Sequence, residues 1–192
     1  MPKTLTFLYG VNANSMMNAL CARAVSIYGG KSIFIDAANS FDPYLIVQRN
    51  NSHKSEKSAK EFIESIIVSR AFTCYQLRKL VTSKIANMMA EEENQIKSIF
   101  VSGVSSLFSE QDNTIAEIAR IEFLIAQSLQ RIATDKKNGV LFVVASSNTS
   151  SMSFIMKSDT AIKIFNDHDG GDDTRKAVLM KHYARNFETV RI

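Results

Sequence analysis

Short apolar runs alternate with longer stretches of helical periodicity through the first three quarters of the chain. Residues 4–9 (TLTFLY) predict a strand that ends at Gly10. Residues 15–28 follow with Met16, Leu20, Ala24 and Ile27 at helical spacing, and Gly29-Gly30 stops that helix. Residues 32–36 (SIFID) predict a second buried strand. Residues 65–71 (SIIVSRA), rich in β-branched side chains, predict a third, with helix as the alternative. A helix over 75–92 carries Leu77, Leu80, Val81, Ile85 and Met88 on one face. Residues 98–101 (SIFV) predict a fourth strand, 115–133 a long helix and 140–145 (VLFVVA) a fifth strand. Strands that are apolar along their length and separated by helices belong to a parallel sheet covered on both faces.

Past residue 151 the rhythm changes. Residues 154–156, 161–165 and 177–182 predict short strands, and the polar turn over 166–171 separates the last two, as in antiparallel hairpins added at a sheet edge. Two polar stretches predict loops, 48–60 (QRNNSHKSEKSAK) and 146–153 (SSNTSSMS). The expected fold is therefore α/β, one domain over residues 1–192, with a β-rich C-terminal end.

Composition changes this picture little. Hydrophobic residues are 45% and charged residues 22%, ordinary for a globular chain long enough to bury a core. No run approaches the roughly 18 to 20 apolar residues of a membrane span, and no secretion leader opens the chain. Cys21 and Cys74 have no CxxC spacing and read as reduced core residues. The expected setting is intracellular: cytoplasmic or nucleoid-associated, or nuclear in a eukaryote, without a membrane partner. A formal charge of +4 is weak evidence for a polyanionic partner. His53, His168 and His182 are scattered and make no zinc pattern. The acidic turn Asp167, Asp169, Asp172 and Asp173 fails the EF-hand pattern at its fifth, sixth and twelfth positions. Gly30-Lys31-Ser32 looks like the end of a phosphate loop, but Val25 holds the place of that motif's first glycine and a strand follows where a helix should open.

The order of motifs resembles the core of RecA/RadA-type recombinases. The second strand of that family runs into a Tyr-Ile-Asp-Thr-Glu-Gly-x-Phe-x-Pro pattern, matched by Phe34-Ile35-Asp36-Ala37-Ala38-Asn39-Ser40-Phe41-Asp42-Pro43. An Ala-Arg-Ala-Phe segment followed by Gln is matched by Ser69-Arg70-Ala71-Phe72 and Gln76, and a strand ending in Asp-Ser-x-Thr-Ala-Leu-Phe by Ser102 through Phe108. The resemblance spans residues 4–185. It implies a RecA-like three-layer sandwich, with a mainly parallel central sheet and antiparallel C-terminal edge strands, lacking the family's N-terminal domain.

Departures from that pattern carry the functional expectation. A phosphate loop needs glycines whose backbone wraps the phosphates, a lysine against the β and γ groups and a hydroxyl for Mg²⁺. Here the stretch is Gly10-Val11-Asn12-Ala13-Asn14-Ser15-Met16-Met17. Only the first glycine remains; Ser15 stands for the second, Met16 for the lysine and Met17 for the hydroxyl. Ser102 stands where the family has its magnesium-positioning aspartate, and Ala38 where it has the water-activating glutamate. The resemblance with these losses implies a recombinase paralog with no catalytic residue, no cofactor and no metal. Its implied partners are single- or double-stranded DNA without sequence preference, a recombinase or another paralog, and a second copy in a homodimer. Methionines at these places read mostly as core residues, with an apolar partner surface formed by Met16 and Met17 as the alternative. An NTPase with a non-standard loop and a pure protein-binding module remain the alternatives.

The family's two DNA loops match residues 109–113, where Glu110 and Asp112 oppose phosphate, and 146–153, with Lys157 beyond. Better electrostatic candidates are Arg49, Lys54, Lys57 and Lys60 in the first polar stretch, and Arg175, Lys176, Lys181 and Arg185 near the last strands.

Overall fold

A computed structural model of the chain describes residues 4–51, 58–92, 95–108, 114–135, 139–167, 174–182 and 189–191. Among the described residues eight strands form one sheet. In chain order they are β1 (Thr4–Gly10), β2 (Lys31–Asp36), β3 (Ile66–Arg70), β4 (Ile96–Ser102), β5 (Phe142–Ser147), β6 (Thr160–Asp167), β7 (Thr174–His182) and β8 (Thr189–Arg191). Across the sheet the order is β3-β2-β4-β5-β1-β6-β7-β8. The strands from β3 to β6 pair in parallel; β7 and β8 are antiparallel additions at one edge.

The helices are α1 (Ala13–Tyr28), α2 (Pro43–Asn51), α3 (Ala59–Glu64), α4 (Cys74–Lys79), α5 (Ile85–Glu91), α6 (Ile115–Thr134) and α7 (Met152–Lys157). A π-helical turn, Leu80–Lys84, joins α4 to α5. Alternating strand residues feed two cores. Leu5, Phe7, Ile33, Ile35, Ile99, Val101, Val143 and Ala145 pack with Leu77, Ile85, Ile121, Ile125 and Phe154, on the side of α4–α7. Leu8, Phe34, Phe100 and Val144 pack with Met17, Cys21, Val25, Ile46 and Phe62, on the side of α1–α3. Both faces of the central strands are therefore dry, which is why they read as unbroken apolar runs. The fold is α/β, a mostly parallel sheet between two helical layers with antiparallel strands at its C-terminal edge, as expected. Among the described residues no helix is long and apolar enough to cross a membrane.

Three expectations are corrected. Residues 154–156, predicted as a strand, lie in α7: Phe154 points into the core while Met152 and Met156 stay exposed, a helical and not an alternating pattern. The loop predicted over 48–60 is cut short at both ends, because α2 runs to Asn51 and α3 begins at Ala59. Asp42 holds the start of α2, its Oδ1 accepting from the Tyr44 and Leu45 N–H groups at 2.9 and 3.2 Å, and Pro43 opens the helix. Ser58 and Glu61 form a reciprocal capping box on α3. The loop predicted over 146–153 is likewise shortened, with Ser146 and Ser147 inside β5 and Met152 and Ser153 inside α7. The third strand is a strand, β3, at the outer edge of the sheet.

Candidate functional site

In a parallel sheet the crevice that receives ligands lies outside the carboxyl ends of the strands. Here that end gathers Gly10, Asp36, Ser102 and Ser147, the last residues of β1, β2, β4 and β5. The turn from β1 to α1 consists of Val11 and Asn12, with Asn12 in the left-handed region at φ 58°. Helix α1 thus begins at Ala13, and Asn14 already sits in its first turn. Gly10 has φ 109°, and its following peptide is fixed by Val11 N–H donating to the Ile164 carbonyl of β6 at 3.1 Å.

Asn14 and Asn18, one helical turn apart on α1, are both buried. Asn14 Oδ1 accepts from Gly103 N–H at 3.0 Å and from Ser146 Oγ at 2.9 Å, tying the helix start to the ends of β4 and β5. Asn18 Nδ2 donates to the Ser40 carbonyl at 2.6 Å, and its Oδ1 accepts from Asp42 N–H at 3.0 Å. Asp36 lies beside them with a fully buried carboxylate. Its Oδ1 accepts from Ser40 N–H at 2.9 Å and Ser102 Oγ at 3.0 Å, and its Oδ2 from Phe41 N–H at 3.1 Å. Ser40 Oγ donates to Ser102 Oγ at 3.0 Å. Among the described residues no buried side-chain polar atom lacks a hydrogen-bond partner. The buried polar side chains at the strand ends are therefore all partnered, by one another and by the loops that follow.

The residues singled out from the sequence fall as follows. Met17 is fully buried in the α1-side core, Met16 is half-buried against the same core, and Ser15 is exposed. Met17 is thus a core side chain with no surface to offer a partner. Ser102 spends its hydroxyl on Asp36, and Ala38 sits where a Cβ on Gly103 would collide with it, so β4 leaves the sheet pressed against the 37–38 backbone.

Among the described residues the two groups of basic candidates lie apart. Lys60, on α3, is exposed and pairs with Glu64 at 3.8 Å. Arg49 lies on α2. Arg175, Lys176 and Lys181 lie on β7, two strands beyond β1 and near the edge opposite β3, where α3 packs. Lys157 ends α7 with its ammonium 4.8 Å from the Phe123 ring centroid. Lys54, Lys57 and Arg185 lie outside the described residues, as do His53, His168, the 109–113 match and most of the acidic turn.

The geometry also shows a cationic groove that reading for lysine-rich loops misses. A cavity of about 350 Å³ is lined by Arg70, Phe72, Gln76, Lys79, Leu80 and Lys84, at the end of β3. A second, of about 270 Å³, shares Arg70 and Phe72 with it and reaches Asp36, Ala38, Asn39 and Ser106. The sequence signal was there: from Ser65 through Ala90 the chain carries Arg70, Arg78, Lys79 and Lys84 and no acidic residue. Burial pushes the Cys21 thiol and the Tyr9 phenol up. A hydrogen bond to Glu117 raises Tyr75, so all three stay protonated at neutral pH.

A family profile described as Rad51 matches residues 10–165, from the last residue of β1 into β6. The chain belongs to the Rad51 family. No individual curated protein matches it. Membership is consistent with an ATPase-related fold and with a recombination-related function.

Proposed function

We propose that this Rad51-family chain is a recombinase paralog without ATPase activity, an accessory of homologous recombination and DNA repair that works by binding DNA, a recombinase, or both. The observation that carries the reading is the start of α1. Met17, at the place of the magnesium-binding hydroxyl, is consumed by the core, and the Asn14 amide is drawn inward onto Gly103 and Ser146. Helix α1 also begins at Ala13, so the two-residue turn before it leaves a short backbone arc for wrapping phosphates. Neither methionine supplies charge or a good oxygen ligand. Losing one preorganised electrostatic stabiliser costs about 3–4 kcal/mol of transition-state stabilisation, and here the lysine, the aspartate and the glutamate are all replaced.

Purified chain with MgATP is expected to show no turnover above buffer. The paired change Met16→Lys with Met17→Thr is expected not to create any, because Ser102 and Ala38 remain. Turnover by the wild-type chain that Ser15→Asp abolishes would overturn the reading, since Ser15 is exposed at the mouth of this turn and a carboxylate there repels a triphosphate.

DNA binding of this kind rests on phosphate neutralisation, so affinity should fall steeply between low and moderate salt. Reversing Lys54, Lys57 and Lys60 to Glu is expected to weaken binding about tenfold at low salt with the thermal midpoint unchanged. Equal affinity in the triple variant would remove this segment from the DNA surface. No binding at any salt would leave recombinase binding as the accessory role.

A further inference from the structure

We propose that the groove between the end of β3 and the α4–π–α5 helix is a binding site for single-stranded nucleic acid, with Arg70, Lys79 and Lys84 on the phosphates and Phe72 under a base. This rests on the DNA-binding part of the reading above and names a site for it on other residues.

Three observations converge on one cavity. The first is charge. Lys79 and Lys84 are exposed and make no ion pair among the described residues. Arg70 is anchored at Nε, 3.8 Å from Asp36 Oδ2, while half its side chain remains exposed; its terminal nitrogens keep four N–H donors. The Asp36 carboxylate is fully buried and already accepts three hydrogen bonds, so it offers little negative surface to an approaching anion.

The second is helix geometry. In an uninterrupted α-helix, residues five apart are about 140° out of line. The π turn from Leu80 to Lys84 closes between residues five apart, with Ile85 N–H donating to the Leu80 carbonyl, and Lys79 and Lys84 line the same cavity. The turn costs ideal helical geometry and gathers two cations.

The third is an exposed ring. Phe72 is 71% exposed, an unusual place for a phenyl side chain, and its backbone is held by its N–H donating to Gln76 Oε1 at 2.8 Å. It stands between the cationic cavity and the smaller one lined by Ala38, Asn39, Ser106 and Leu107, which leaves room beside the ring for a flat group. Tyr75, 42% exposed, follows within α4 with the Arg78 guanidinium over its ring at 5.7 Å.

Cations in register with an exposed aromatic fit a strand whose bases are free to stack. A duplex keeps its bases stacked on one another, and a carboxylate-rich peptide gains nothing from a phenyl face. The single strand is therefore favoured over both.

The test uses the full chain and a fluorescent oligo(dT), followed by anisotropy across a salt series. Lys79→Gln with Lys84→Gln is expected to weaken binding about tenfold and to reduce the slope of log K against log salt by about 1.4, or 0.7 for each phosphate left without its cation. Phe72→Ala is expected to weaken oligo(dT) binding about tenfold with the slope unchanged, Phe72→Tyr to restore it, and duplex affinity to be indifferent to both. All these positions are exposed, so unfolding midpoints should match wild type. If wild-type chain binds oligo(dT) and these variants bind it equally, the groove is wrong while the DNA reading stands. If wild-type chain binds no DNA, both fail. Displacement of oligo(dT) by poly-glutamate at equal charge, with Phe72→Ala without effect, would make the groove a dock for acidic protein segments and overturn the proposal.

Discussion

Gly10→Ala is expected to destabilise the chain by about 4 kcal/mol, which for a domain of this size lowers the thermal midpoint by roughly 8–16 °C. A Cβ on Gly10 would overlap the Ile164 carbonyl oxygen and come within 3.1 Å of its carbon, and φ 109° lies where side-chain-bearing residues are strained. Neither can relax cheaply, because the obstacle is backbone of the neighbouring strand β6, to which Val11 N–H is hydrogen-bonded. Gly29→Ala is the control. It has a similarly positive φ, 62°, but open space around the added methyl, so it carries strain without collision and should cost about 1–2 kcal/mol. Equal losses for the two variants in urea unfolding would refute the close-approach account. Gly10 thus has a reason to be glycine that owes nothing to a nucleotide: survival of the first phosphate-loop glycine follows from strand packing.

Asp36→Ala is the second large effect, expected at about 3–5 kcal/mol. The substitution leaves the part-buried Ser40 and Phe41 N–H groups and the buried Ser102 hydroxyl without their acceptor, and a buried donor left unmade costs about 1–3 kcal/mol. Arg70 adds little to the loss, since its half-exposed guanidinium can turn to water. Asp36→Asn keeps one acceptor oxygen and should lose about half as much. Chemical denaturation of both variants checks the order; an alanine variant as stable as the asparagine one would show that the carboxylate is not the keystone of this network.

The interior of this fold was legible because its central strands are buried on both faces. Apolar runs such as 98–101 and 140–145 have no competing interpretation once helices flank them. The errors came where the periodic signal is short. Phe154-Ile155-Met156 has no readable period in three residues, and α7 is only six residues long. Helices α2 and α3 were readable at their starts, from Asp42-Pro43 and from Ser58 with Glu61, but the polar residues between them drowned both signals. At the site, the fate of Met17 follows from its chemistry alone. The role of Asn14 does not, since its partners are 89 and 132 residues away. Of the two basic groups read from the sequence, the described members lie apart, Arg49 and Lys60 on α2 and α3 and Arg175, Lys176 and Lys181 on β7. The cations that do converge come from two elements: Arg70 ends β3, and Lys79 and Lys84, five residues apart, reach the same cavity across the π turn.

The position of β1 bears on how the chain assembles. It leaves the ribosome ahead of the other described strands, yet its two neighbours are β5 and β6, among the last parts of the Rad51-family match to be made. Until Phe142–Ser147 and Thr160–Asp167 emerge, both flanks of Thr4–Gly10 are open, whereas β2, β3 and β4 can already pair among themselves. Nascent chains halted before residue 142 would hold an apolar ribbon with no native partner, a template for pairing with foreign strands. The centre of the finished sheet thus closes after its β3-β2-β4 side, with only the β7 and β8 edge still to be added.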